Sequence, residues 1–411
     1  MSAPAEVAVY LDHAATTPVD PAVAEAMAAC LRDDGVFGNP ASSGHAWGRA
    51  AAGRVERARA AVAALINAPV EGVHFTSGAT ESINTAILGV TRFAMARDRG
   101  GHVITGATEH SATLAACRRL EQEGAQVTYL APDTDGRVTA EAVAAALRDD
   151  TVLVSLMHVN NETGVIQPIE AVGRHLRDHA AVFHVDAAQS AGLLPLDVAM
   201  GIDLLSLSAH KFYGPKGAGV LYVRQQPRLR LDPLFYGGEQ EGGLRPGTVP
   251  VHQVVGMGEA AELVVRRQEA DHAHLQALTI RLLDGLQALD GVIVNGTGPR
   301  CPHILNVSFV GVHGESLALA LRGPGVSVGS ACTSALATPS HVLRAMGVPD
   351  ALALASFRFS PGRGTTGDDV DAVLNMVADA LEQQRRRSTI WAAFRAGATI
   401  DSLYRGGTRV A

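Results

Sequence analysis

A lysine beside a histidine closes the apolar run Leu204-Leu205-Ser206-Leu207-Ser208-Ala209-His210-Lys211. In such a place an amine can shed its proton in a partly dry pocket and attack a carbonyl carbon, the chemistry of a Schiff-base lysine. A second apolar run, Phe183-His184-Val185-Asp186, ends in a carboxylate. Either group alone carries little, since lysines and aspartates are ordinarily exposed or paired for structural reasons. Together they match what a pyridoxal phosphate (PLP) enzyme requires: an amine for the aldehyde and an acid facing the pyridine nitrogen.

Other residues take on meaning beside that pair. Ser77-Gly78-Ala79-Thr80 marks a strand-to-helix junction, which is either an ordinary helix cap by Ser77 or Thr80 or a cradle of free N–H groups for a phosphate. Ser208 and His210 could add donors to the same phosphate. His110 follows an apolar run and a turn, where an imidazole can stack on a flat ring and move protons near neutral pH. Arg358 alternates with apolar residues in Ser356-Phe357-Arg358-Phe359-Ser360; it either grips a carboxylate or sits on the wet face of an edge strand. Cys332 lies among small residues in Gly329-Ser330-Ala331-Cys332-Thr333-Ser334, a segment with little to anchor it and therefore a setting for an exposed, reactive thiolate.

The elements that must position these groups read as alternating apolar runs and amphipathic stretches from about residue 73 to 223. Strands are expected at Val73–Thr76, His102–Thr105, Val152–Met157, Ala181–Val185 and Leu204–Ser208, with helices from Ala79 and near Ser111. Continuous hydrophobic strands separated by helices predict an α/β, doubly wound, mainly parallel sheet covered on both faces. Ligands of such sheets bind beyond the carboxyl ends of the strands, and the candidate residues all fall on that rim. A long helical segment through Glu259 to Asp290, the run Ile304–Phe309 and further helices predict a second, smaller α+β unit.

The 411 residues, 47% hydrophobic, suffice for two cores, since single cores stop growing near about 250–300 residues. The net charge is −7 and the basic residues are scattered, apart from Arg385-Arg386-Arg387 at a helix end, so no nucleic-acid surface is expected. No run approaches the ~20 apolar residues of a membrane helix, and the N-terminus lacks the features of a signal peptide, so a cytoplasmic location is expected. Cys30, Cys117, Cys301 and Cys332 show no zinc or disulfide spacing, and no metal site is read; the first three read as buried small hydrophobes.

Seven motifs then converge on one family. Tyr10-Leu11-Asp12-His13-Ala14-Ala15-Thr16-Thr17-Pro18, Phe37-Gly38-Asn39-Pro40, Phe75-Thr76-Ser77-Gly78-Ala79-Thr80-Glu81-Ser82, Met157-His158-Val159-Asn160-Asn161-Glu162, His184-Val185-Asp186, Ser208-Ala209-His210-Lys211 and the Cys332 segment resemble the cysteine desulfurases of the housekeeping iron–sulfur cluster group. The resemblance implies a PLP-dependent transferase of fold type I, with a seven-stranded large domain at 18–262 and a small domain formed by 1–17 and 263–411 that carries the cysteine loop at about 323–340. It implies a homodimer that converts L-cysteine to L-alanine and a persulfide, passed to a sulfur-acceptor protein for iron–sulfur cluster assembly or other thio-modification. Residue by residue, Lys211 would carry the cofactor, Asp186 would face its ring nitrogen, Gln189 its ring hydroxyl, and His110 would stack on the ring as acid and base. The phosphate cup would be Ala79, Thr80, Ser208 and His210, with Thr248 from the second subunit. Asn161 would place substrate and cofactor, Arg358 would hold the substrate carboxylate, and Cys332 would receive the sulfur and could ligate a transient iron–sulfur cluster. Partner contacts would fall on Trp391–Tyr404.

Two segments depart from the family pattern. Pro246 stands where a small residue is usual, fixing φ and removing a donor beside the shared phosphate contact, and Leu321-Arg322-Gly323-Pro324-Gly325-Val326 is rich in Gly and Pro. Rival readings are a selenocysteine lyase or aminotransferase on the same scaffold, or a non-catalytic sulfur-transfer scaffold.

Overall fold

The computed structural model describes residues 9–321, 324–328 and 338–404; Cys332, with the rest of 329–337, lies outside the described residues. The chain opens with β1 (Val9–Tyr10), α1 (Pro21–Ala28), α2 (Ala46–Leu65), β2 (Val73–Thr76), α3 (Ala79–Met95), β3 (His102–Gly106), α4 (Ser111–Gln122) and β4 (Gln126–Leu130). It continues through α5 (Ala140–Ala146), β5 (Thr151–Met157), α6 (Ile169–Leu176), β6 (Val182–Asp186), β7 (Leu204–Ser208), β8 (Gly219–Val223) and the long α7 (Val251–Gln287). The remainder is β9 (Val292–Val294), β10 (Leu305–Phe309), α8 (Gly314–Ala320), β11 (Pro324–Gly325), β12 (Ser327–Val328), α9 (His341–Ala345), α10 (Asp350–Leu354), β13 (Ser356–Phe359), α11 (Gly367–Arg385), α12 (Thr389–Arg395) and α13 (Ile400–Tyr404).

Strands rich in Val, Ile and Leu, buried along their whole length, need cover on both faces, and the seven-stranded sheet has it. Its order is β2-β8-β7-β6-β5-β3-β4. Five neighbouring strands run parallel, while β8 is antiparallel to both β7 and β2. On one face α2, α6 and the first part of α7 pack around Val62, Val172, Phe183 and Met257. On the other, α3 and α4 pack Ile83, Ile87 and Leu120 against Leu153 and Leu221. Each such side chain, removed from water, stabilises the fold by about 1.5–3 kcal/mol.

A four-stranded antiparallel sheet, β12-β13-β10-β9, builds the second unit with α11 and the end of α7 around Phe309, Phe357, Leu282 and Val373. The 37-residue α7 spans both units. Near its start Gly258 abuts Ala58 of α2, and near its end Gly285 abuts Leu374 of α11. The N-terminal segment belongs to both units. β1 pairs in parallel with β11, and Leu11 is fully buried in the smaller core. From there the chain crosses the large sheet, where the Thr17 amide donates to the His210 carbonyl at 2.9 Å. That crossing requires a glycine at 362, since a Cβ there would sit 2.2 Å from the His13 ring.

Candidate active site

A cleft of about 580 Å³ opens at the carboxyl ends of the parallel strands. Each strand delivers its residues at the point where its ladder stops. Ser77 to Thr80 follow β2, His110 follows β3, Asn161 follows β5, Asp186 ends β6, Ser208 ends β7, and His210 and Lys211 come directly after. Ala14 and Ala15 of the N-terminal crossing and Arg358 of β13 close the cleft from the smaller unit. Ala79, Thr80, His110, Asn161, Asp186, Gln189, Ser208, His210, Lys211 and Arg358 therefore line one space. Thr248 does not: it is exposed and away from its own chain's cleft.

Lys211 Nζ donates to the carbonyls of Ala14 and Ala15 at 2.7 and 2.8 Å. Neutral carbonyls do not compensate a buried charge as an anion would. Burial and the nearby Arg358 guanidinium pull the amine down to about 8, against the pull of Asp186 and Asp12. Gln189 Nε2 donates to the same Ala14 carbonyl at 2.8 Å, holding the carbonyl in place. The whole sequence contains only two lysines, Lys211 and Lys216, and both face this cleft.

Asp186 is 7% exposed, and its Oδ1 accepts the Ala188 N–H at 3.0 Å. Burial pushes its carboxyl upward, opposed by that hydrogen bond and by His110 and Lys211. Behind it His184 is fully buried between the hydroxyls of Ser155 and Ser206, at 2.8 Å each, and burial drives its pKa to about 3. His184 is thus a neutral structural imidazole. His110 caps α4, with Nδ1 accepting the Ala112 N–H at 3.1 Å. Burial lowers its pKa as well, so the neutral ring carries its proton on Nε2.

The junction before α3 settles one alternative. Its N-cap is Gly78, with φ 153°, and no side chain caps the helix. Ser77 and Thr80 do not satisfy the free amides, which remain available to an anion at the cleft. Ser208 is buried beside this turn, and His210, pulled to about 4 by burial and the two lysines, offers a neutral ring whose Nδ1 meets Thr16 Oγ1 at 3.1 Å. Glu81 Oε2 accepts the Ser77 N–H at 2.8 Å, while Oε1 pairs with Arg245 next to Pro246 at 3.2 Å.

Arg358 corrects the edge-strand alternative: β13 lies between β12 and β10, and the arginine is 9% exposed. One terminal nitrogen donates to the Asn161 carbonyl at 2.6 Å and the other to Asp12 Oδ1 at 2.7 Å. Three groups at this site carried no role in the sequence reading. Asp12 grips the arginine. Glu109 is buried under His110 with one carboxyl oxygen unpartnered among the described residues, and burial beside Asp186 raises its pKa well above the usual carboxylate range. Glu162 accepts from the Ser340 hydroxyl, while His341 Nε2 meets the Glu109 carbonyl at 2.9 Å. Asp12 and Glu162 stand inside the quoted motifs and Glu109 directly precedes His110, but their surroundings become visible only in three dimensions.

A profile of the aminotransferase class-V family matches residues 9–373. The curated relative "Cysteine desulfurase IscS" of Vibrio vulnificus (strain CMCP6) is 51% identical over 397 residues, covering 96% of this chain and 98% of that one. The chain belongs to the cysteine desulfurase branch of the class-V aminotransferase family. A solved "NifS-like protein" superposes with a TM-score of 0.83 at 36% identity, covering 91% of this chain and 99% of its own. A second structure, "SspA in complex with cysteine", gives 0.77 at 37% identity, covering 87% of this chain and 100% of its own. Dependence on PLP is a general property of this family, and the donors present fit that group. An uncapped 17-residue helix suits a phosphate, a buried carboxyl suits a ring nitrogen, and a depressed amine suits an aldehyde.

Proposed function

We propose that the chain is a cysteine desulfurase that releases L-alanine from L-cysteine and passes the sulfur, as a persulfide on Cys332, to an acceptor protein for iron–sulfur cluster assembly or other thio-modification. The observation that carries this reading is the Lys211 amine, pulled down to about 8 in a cleft shared with Asp186, the free start of α3 and Arg358. Lys211 would hold PLP through its aldehyde, with Asp186 at the ring nitrogen, Gln189 at the ring hydroxyl and His110 against the ring face. Ala79, Thr80, Ser208 and His210 would hold the phosphate, joined by Thr248 of a second copy. When bound, the cofactor supplies an electron sink for charge developing on the substrate carbons.

The chain's own groups do the rest. Arg358 grips the substrate carboxylate and Asn161 orients the amino acid across the cleft. The neutral Lys211 amine accepts the Cα proton, a task matched to its lowered pKa. His110, its Nδ1 tied to the Ala112 amide, donates and recovers protons through Nε2. The Cys332 thiolate attacks the substrate sulfur; an S–S bond forms, the S–Cβ bond breaks, and its electron pair and a proton stay with carbon. Cysteine and one enzyme thiol thus become alanine and one enzyme persulfide, with no outside oxidant.

The working unit is a homodimer, as the exposure of Thr248 away from its own cleft supports. Within each copy the division into 18–262 and 1–17 with 263–411 puts Asp12 and Arg358 on the smaller unit's side of the cleft. The three described cysteines are free and buried, and no described helix is long and apolar enough to cross a membrane, which suits the reducing cytoplasm.

The test is product analysis of the PLP-loaded protein with L-cysteine. Alanine should form together with persulfide, or with sulfide when a reductant is present. Lys211→Ala should form neither. Cys332→Ala should keep the colour change on adding cysteine yet make no persulfide. 3-Mercaptopyruvate, the 2-oxo acid of cysteine with its sulfur retained, in place of alanine would replace this reading with a transaminase.

A further inference from the structure

Arg358 is not a free arginine waiting for a ligand. Its guanidinium is held on two sides, by the Asn161 carbonyl at 2.6 Å and by Asp12 Oδ1 at 2.7 Å, and Nε is buried with no partner among the described residues. Each terminal nitrogen, used once, keeps one N–H, the number that a carboxylate's two oxygens take up. Asp12 is itself fixed by its backbone. It bridges Ser360 beside β13, its carbonyl accepts the Tyr10 hydroxyl at 3.0 Å, and its side chain is 22% exposed. The ion pair joins residues 346 positions apart, across the line where the two units meet.

We propose that Asp12 is a positioning residue for the reaction: its carboxylate clamps Arg358 in the orientation that receives the substrate carboxylate and shields Lys211 from the arginine's charge. This rests on the desulfurase reading above. A guanidinium released from Asp12 would keep one anchor, lose its fixed direction and stand unscreened near the amine. The charged and titratable groups around Lys211 include Asp186 at the end of β6, Asp12 on the N-terminal crossing, Arg358 on β13, Lys216 lining the same cleft, and His13, His110, His210 and His303 at its flanks. Of the two carboxylates, only Asp12 touches the arginine.

Two readouts on the PLP-loaded enzyme test the inference. For Asp12→Ala, KM for L-cysteine should rise roughly tenfold while kcat stays within about twofold, because the arginine is misplaced rather than the chemistry removed. In an Arg358→Ala background the same change should leave KM within about twofold. The pH at which the visible absorbance of the loaded enzyme titrates should fall, since an unscreened positive charge disfavours protonation at Lys211. Asp12→Asn keeps an oxygen for the clamp but not the charge, so it should lower that midpoint with a smaller rise in KM, and it serves if the alanine variant fails to fold. An unmoved midpoint in Asp12→Asn, a KM for Asp12→Ala within about twofold of the parent, or a full effect persisting without Arg358 would overturn the proposal. Failure of the parent reading looks different: the unsubstituted chain would then neither colour with PLP nor consume cysteine.

Discussion

At Lys211 the deciding quantity is how much of the amine is neutral. An ordinary lysine near 10.4 is almost wholly charged at neutral pH, whereas one near 8 is about one-tenth neutral at pH 7. The rate of PLP uptake by the unloaded chain should therefore climb about tenfold per pH unit below about 8 and level off above it, which stopped-flow absorbance near ~420 nm would follow. A plateau first reached near ~10 would mean that the amine is not depressed. The place of this lysine in the cleft was legible from its position after an apolar run, and so was that of Asp186. Asp12 and Glu109 were not legible in the same way. A carboxylate that pairs 346 residues away, or one with a single buried oxygen left unpartnered among the described residues, leaves no local pattern to read.

Among the elements, the turn between β2 and α3 decides whether an anion can reach the helix. Gly219 on β8 lies directly under it: a Cβ there would come within 2.4 Å of the Gly78 Cα, a backbone atom that cannot step aside. Gly219→Ala should push the start of α3 out of line, weaken PLP binding at least about tenfold and cost about 1–3 kcal/mol of stability. Fluorescence titration with PLP and thermal unfolding would measure the two effects. Unchanged affinity would show that the helix start does not hold the phosphate. The strands that end at the cleft, β2, β3, β5, β6 and β7, announce themselves as apolar runs, because strands covered on both faces of the sheet have no polar side to show. β4 escaped that reading because it is the half-exposed edge, with Gln126 and Thr128 among its residues. The reversed direction of β8 is set by its pairing with β2 and β7, which no single segment encodes.

On the scale of the whole molecule, the cleft draws on the large sheet, the N-terminal crossing and β13 of the smaller sheet, so the two units must stay in register. Arg363 helps to keep them there. It pairs with Asp20 at 2.9 Å and Asp271 at 2.8 Å and lies over the Tyr213 ring, tying the loop after β13 to α7 and to the start of α1. Arg363→Met leaves the buried Asp271 and the part-exposed Asp20 without this partner and should lower stability by about 2–4 kcal/mol in chemical denaturation; a change under about 0.5 kcal/mol would show that the clamp is idle. The proposed homodimer can be tested at the same scale. A Lys211→Ala copy paired with a Thr248→Ala copy has one site with its own lysine and its partner's threonine, and one site with neither. Mixed dimers should regain one full-affinity PLP site, measured by titration after co-refolding. No recovery beyond the separate variants would place Thr248 outside the shared site.

Borohydride reduction of the PLP-loaded chain followed by peptide mass mapping bears most directly on the central claim, because the sequence has only two lysines to choose from. The pyridoxyl mass should appear on Lys211 in the peptide that follows β7, and should vanish in Lys211→Ala. A label on Lys216, or a chain that takes up no label at saturating PLP, would contradict the account.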